Sequence, residues 1–143
     1  MLHNILPCGK VLAKWKNNCT EKCLDCDEIE TTEHMLFGCK ELVDTWRLIS
    51  DIIKVNIKWK NIVCGLPSSD DSANVRFINV LISIVAYSIF KFSNKRRWAQ
   101  QINCNSVKQL IVRDILFYKM LMKRKNNDIL EDVRIKRIVE ELL

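Results

Sequence analysis

The sequence predicts an all-α fold, or nearly so: a small stapled helical module packed with a helical bundle. Three observations point there. The chain has 143 residues with only three Gly and two Pro, and so few breakers favour long helices over a turn-rich β fold. Apolar residues recur at steps of three and four through most of the chain, the period of one helix face. The uncharged run Phe77–Phe90 carries polar residues on either side and within it that all fall on one helical stripe.

The elements follow in order. In "LPCGKVLAKWK", Leu6–Lys16, the residues Val11, Leu12 and Trp15 are spaced for a short helix. A cysteine-rich stretch comes next. "TTEHMLFGC" reads as a second short helix, with Thr31 or Thr32 placed to cap its first N–H groups and Gly38 to end it. "KELVDTWRLISDIIKV" puts Leu42, Val43, Trp46, Ile49 and Ile53 on one face of an amphipathic helix. "WKNIVCGLP", Trp59–Pro67, fits either a short helix or a strand. "LPSSDDSAN" is a loop and divides the chain into a module over 1–66 and a helical region over 72–143.

The helical region opens with a helix over about 74–97. Its polar residues Arg76, Asn79, Ser83, Tyr87, Lys91 and Asn94 form a single wet stripe. That pattern belongs to a buried central helix. The uncharged run is 14 residues long, short of the ~18 that suggest a membrane span, so no membrane partner is expected. A helix over 106–124 has Ser106 as N-cap and an apolar face of Leu110, Ile111, Ile115, Phe117 and Met122. A last helix over 128–143 has Asp128 as N-cap and a stripe of Ile135, Ile138, Val139 and Leu142.

Seven cysteines with no secretion signal read as reduced thiols of an intracellular protein, in cytoplasm or nucleus. Their spacing carries the chemistry: Cys23-x2-Cys26-x7-His34-x4-Cys39. Zinc takes four thiolate or imidazole ligands in a tetrahedron, and three Cys with one His is a common structural set. A redox pair is disfavoured because Asp25, Asp27 and Glu28 surround Cys26 and oppose a thiolate. A zinc deaminase needs a His-x-Glu before its Cys-x-x-Cys, and the order here is reversed. Four protein ligands leave no open position for an activated water, so one structural Zn2+ is expected. It is worth on the order of 10 kcal/mol, most of it coupled to folding. Cys19 is read as a bystander, Cys8, Cys64 and Cys104 as buried small hydrophobes, and His3 as a surface residue.

These residues resemble the reverse transcriptase zinc-binding domain found downstream of the polymerase in non-LTR (LINE-type) retrotransposons. The likeness includes "ILP" at Ile5–Pro7, Leu12-x2-Trp15, the Cys-x2-Cys, "ETTEHMLFGC", and Trp46 seven residues after Cys39. "SIFKFSN" resembles the family's Ile-Trp-Lys-x-Arg-Asn region, with Phe90 for the Trp and Ser93 for the Arg. Lys40 stands where the family often has Pro. The likeness covers about residues 2–98. It implies the same four ligands, and that the chain belongs beside an upstream reverse transcriptase domain in a longer polyprotein, or is a shortened copy. The only Asp-Asp, Asp70-Asp71, lacks flanking apolar strands and a preceding aromatic. No polymerase motif, small-molecule substrate or enzymatic activity is therefore expected of this chain.

The net charge is +6, which permits an anionic partner such as RNA or DNA. It is unevenly spread: Glu21–Glu33 holds six acids against Lys22 alone, a net of −5 within the +6 total. Phosphate would be repelled there. The expected nucleic-acid contacts are therefore Lys91, Lys95, Arg96 and Arg97, with Trp98 stacking on a base, and Lys119, Lys123, Arg124 and Lys125. The alternative is a structural or protein-interaction domain, or a decayed retroelement fragment, that binds no nucleic acid.

Overall fold

A computed structural model describes residues 6–15, 18–67, 73–98, 106–125 and 133–143. The three-and-four stepping becomes six α-helices: α1 Gly9–Trp15, α2 Lys40–Ile53, α3 Trp59–Cys64, α4 Ala73–Arg97, α5 Val107–Arg124 and α6 Val133–Leu142. A π-helical segment, His34–Gly38, precedes α2. Among the described residues there is no strand, only an isolated antiparallel bridge between Lys22 and Ile29. The ambiguous Trp59–Cys64 resolves as helix.

Helix α4 is the spine. It packs against α5, the π segment and α3, while α6 closes the bundle against α2 and α5. By length and composition α4 is apolar enough to cross a membrane. Here Phe77, Ile78, Leu81, Ile82, Val85 and Ile89 are buried by other helices of the same chain. One continuous core runs from Cys8 and Met35 through Trp46 and Ile49 to Ile111, Ile138 and Leu142. It draws residues from both sides of the expected loop, from Cys8 through Ile57 and from Phe77 through Leu142.

Two residues of the polar stripe of α4, Asn79 and Lys91, fasten it to other elements, while Arg76, Ser83 and Tyr87 face outward. Asn79 accepts from the Leu66 N–H (2.7 Å) and donates to the Leu66 carbonyl (3.3 Å). This pins the turn after α3, where Gly65 holds φ 74°, a conformation that favours glycine. On the neighbouring face, Ser88 Oγ lies 2.7 Å from the carboxylate of the buried Asp114. Lys91 Nζ approaches the same carboxylate to 2.6 Å. The α4–α5 interface thus contains a satisfied polar cluster inside an otherwise apolar contact.

Three expectations of the helical faces are corrected. Val43, Phe117 and Trp15 are 40%, 51% and 66% exposed. Each lies at the edge of its helix's apolar stripe or, for Trp15, at the end of a seven-residue helix with room for one buried turn. Thr45, Ile52 and Asp114 are buried instead, and of the cysteines expected to be buried Cys8 is, while Cys64, the last residue of α3, is exposed. Ser106 does cap α5, accepting from the Gln109 N–H at 3.3 Å. Asp128, Asp70-Asp71, Lys16, Ile5, His3 and Cys104 lie outside the described residues.

Candidate metal centre

The sequence folds the site from two local devices. The first is a tight turn over Cys23–Glu28. The Cys23 N–H donates to the Glu28 carbonyl (2.7 Å) and the Asp27 N–H to the Cys23 carbonyl (3.3 Å). Asp27 closes the turn at φ 66°, a left-handed conformation that Asp tolerates better than most side chains. The turn brings Cys23 and Cys26 to the same side and aims the Asp25 amide at the Cys23 sulfur, 3.5 Å away.

The second device is the π turn. Thr31 Oγ1 accepts from the His34 N–H (3.0 Å) and starts the helix. At its end the Cys39 N–H donates to the His34 carbonyl (2.9 Å), five residues back. Five residues on a regular α-helix would point side chains about 140° apart. The wider π turn closes that angle, so the convergence of His34 and Cys39 needs no kink at Gly38. The Trp46 indole N–H donates to the Leu36 carbonyl at 2.9 Å and ties the π turn to α2.

Cys23, Cys26, His34 and Cys39 converge, with all donor atoms within 4.8 Å of one another. Cys39 Sγ lies 3.9 Å from both the Cys23 and Cys26 sulfurs. His34 presents Nε2, 3.1 Å from Cys26 Sγ. Its other ring nitrogen, Nδ1, faces Glu28 Oε2 at 3.5 Å. A carboxylate behind a ligating His fixes ring orientation and strengthens the donor. The four side chains can hold one metal ion.

Burial holds two of the thiols protonated in the metal-free fold. Burial raises the Cys23 pKa. Burial, opposed by the Glu41 amide and reinforced by the adjacent Cys23, pushes Cys39 up to about 12. Crowded sulfurs in a partly dry pocket stay protonated unless a metal stabilises the thiolates. The sign for the metal-free fold follows. Raised thiol pKa values leave its stability intact below about pH 9 and remove it as pH climbs toward 12. Metal capture runs the other way, because it displaces the thiol protons. Chelator competition at pH 6, 7 and 8 should give an affinity that rises at least ~10-fold per pH unit, one factor for each proton displaced. A flat profile would remove the thiols as ligands.

Three acids of the loop pair with lysine or arginine. Glu30 accepts from the Gly9 N–H (2.7 Å) and from Arg97 Nη2 (2.6 Å). Arg97 also donates to the Thr20 carbonyl at 3.2 Å. A Cβ on Gly9 would sit 2.9 Å from the Glu21 carbonyl oxygen and 3.0 Å from Arg97, so this close approach requires glycine. Asp25 pairs with Arg96, and Asp27 with Lys22 at 3.0 Å.

Three of the expected phosphate contacts have carboxylate partners within the fold. Arg97 turns inward, 7% exposed, to meet a carboxylate 6% exposed. Arg96 is engaged by Asp25 and Lys91 by the buried Asp114. Of the remaining expected contacts, Trp98, Lys123, Arg124 and Lys125 are exposed, and Lys95 and Lys119 are half-buried. The missed residues are Glu30 and Asp25, whose signal was an acidic loop of −5 matched by the run Lys95-Arg96-Arg97.

No protein-family model, no curated protein and no solved structure matches this chain.

Proposed function

We propose that Cys23, Cys26, His34 and Cys39 hold one Zn2+, and that the chain is a non-catalytic, zinc-stapled scaffold of the reverse transcriptase zinc-binding type. The convergence of three sulfurs and one imidazole carries this reading. A tetrahedron with Zn–S bonds of about 2.3 Å has sulfurs about 3.8 Å apart, close to the two 3.9 Å separations found here. Soft donors and a four-ligand set favour zinc over hard cations. The order and spacing of the ligands, the buried Leu12 and the Trp46 anchor support the retroelement likeness. In that setting the chain would sit beside an upstream polymerase domain.

Contact with RNA or DNA, on this reading, falls to the exposed residues at two helix ends: Trp98 just past α4, beside the half-buried Lys95, and Lys123, Arg124 and Lys125 at the end of α5. The second reading, a structural or protein-interaction domain, is favoured by the internal pairing of Arg96, Arg97 and Lys91.

Native mass spectrometry should find one zinc per chain, lost in Cys26→Ser. The zinc-loaded chain should bind a labelled single-stranded RNA at low salt and release it as salt rises. Lys123→Glu with Arg124→Glu and Lys125→Glu should weaken binding at least ~10-fold. Absence of zinc sinks the metal assignment. Absence of salt-sensitive RNA binding sinks the nucleic-acid role and leaves the scaffold.

A further inference from the structure

Outside the metal centre, the least expected surface lies on α5 and its seam with α4. Two adjoining depressions of about 360 and 400 Å3 run along that seam and share Tyr87 and Tyr118 as walls. Val80, Ile84 and Met122, with Asn79 and Ser83, line the first, and Phe117, with Lys91, Arg113 and Asp114, lines the second. Beyond Phe117 the apolar surface continues outward. Leu116, Phe117 and Met120 are 47%, 51% and 45% exposed. They fall on one helix face with Arg113 and Arg124, by the three-and-four spacing. A contiguous exposed apolar strip of this kind marks an interaction site rather than ordinary surface.

Its electrical setting is one-sided. Helix α4 contains no acid, and α5 contains only Asp114, which is buried against Ser88 and Lys91. Lys123 and Arg124 stand at one end of the apolar strip, and Arg113, 3.6 Å from the Asp114 carboxylate and about half exposed, at the other. The complement to an apolar groove with cationic ends is a helix with an apolar face and acidic flanks. A nucleic acid would leave the aliphatic Leu116 and Met120 wet, since neither offers a stacking plane. A second copy of the same face would bring like charges together.

We propose that the outer face of α5, with the groove it shares with α4, docks an acidic amphipathic helix of a partner protein. This reaches beyond the zinc and retroelement readings and does not depend on them.

The test uses the full chain, metal-loaded, and a fluorescein-labelled helical peptide with Leu and Phe along one face and Glu on the other. Fluorescence anisotropy should rise to saturation. A scrambled peptide of the same composition should bind at least ~10-fold more weakly, since it keeps the charge and loses the stripe. Phe117→Ala with Met120→Ala should weaken the designed peptide by a similar factor. Both side chains are about half exposed, so the melting temperature of this variant should be unchanged. Should it fall, Arg113→Glu with Arg124→Glu provides the same reading from the charged ends. The proposal is overturned if the designed peptide does not bind, if the scrambled peptide binds equally well, or if the variants bind like wild type. It is also overturned if single-stranded RNA, phosphatidylserine vesicles or self-association, rather than the peptide, is what the apolar double substitution abolishes.

Discussion

Cys39→Ser should unfold the region around the metal rather than merely empty it. Cys39 is one of the four candidate ligands, its N–H closes the π turn on the His34 carbonyl, and it is the N-cap residue of α2. The π segment packs on both α2 and α4, so its loss reaches the common core. A Cys3His zinc site contributes on the order of 10 kcal/mol of apparent binding energy coupled to folding. A domain of this size has about 5–15 kcal/mol in total. The two are comparable, so the variant should lose most of its cooperative melting transition. Chelator treatment of the wild type should reproduce that loss. Cys64→Ser is the control: Cys64 is an exposed thiol outside the cluster, and its replacement should change stability by no more than ~0.5 kcal/mol. Superimposable melts for wild type with and without chelator would show that the fold does not rest on a metal.

The helices and the four candidate ligands were legible because both leave local marks. A helix face repeats every three or four residues, and Cys23, Cys26, His34 and Cys39 lie within 17 residues of chain. What escaped is set by partners far away in sequence. Val43 and Phe117 match the apolar stripes of their helices, yet nothing in α2 or α5 says that no neighbour covers them. Asp114 looks like a surface acid until Ser88 and Lys91, 26 and 23 residues earlier, enclose it. The π turn is likewise invisible in spacing alone, because α and π geometries share the same sequence separation. The loop acids were read as repelling phosphate. In the fold two of them, Asp25 and Glu30, also receive Arg96 and Arg97 from the far end of α4 and so form an internal joint.

That joint supplies the second large effect. Glu30 and Arg97 are 6% and 7% exposed and meet at 2.6 Å. Removing one partner leaves a buried charge without its counterion, which costs about 3–5 kcal/mol. Arg97→Met strands the Glu30 carboxylate on the Gly9 N–H alone. Glu30→Gln leaves the guanidinium with the Thr20 and Lys22 carbonyls. Each single substitution should lower urea stability by that amount. The double substitution should cost less than the sum, because a neutral pair buries no unmatched charge. Metal affinity should fall in both singles as well, since Glu30 anchors α1 and the loop after Cys26 to α4. Asp25→Asn provides the contrast. Its pair with Arg96 is about one-third exposed on both sides, and an ion pair in that setting contributes only ~0–1 kcal/mol. Equal small costs at Asp25 and Glu30, or strict additivity of Arg97→Met with Glu30→Gln, would show that the acidic loop is not held by its buried pair. A large cost at Glu30 with strong coupling to Arg97 identifies the charge separation along this chain as a folding device that docks the metal-binding loop onto the helical bundle.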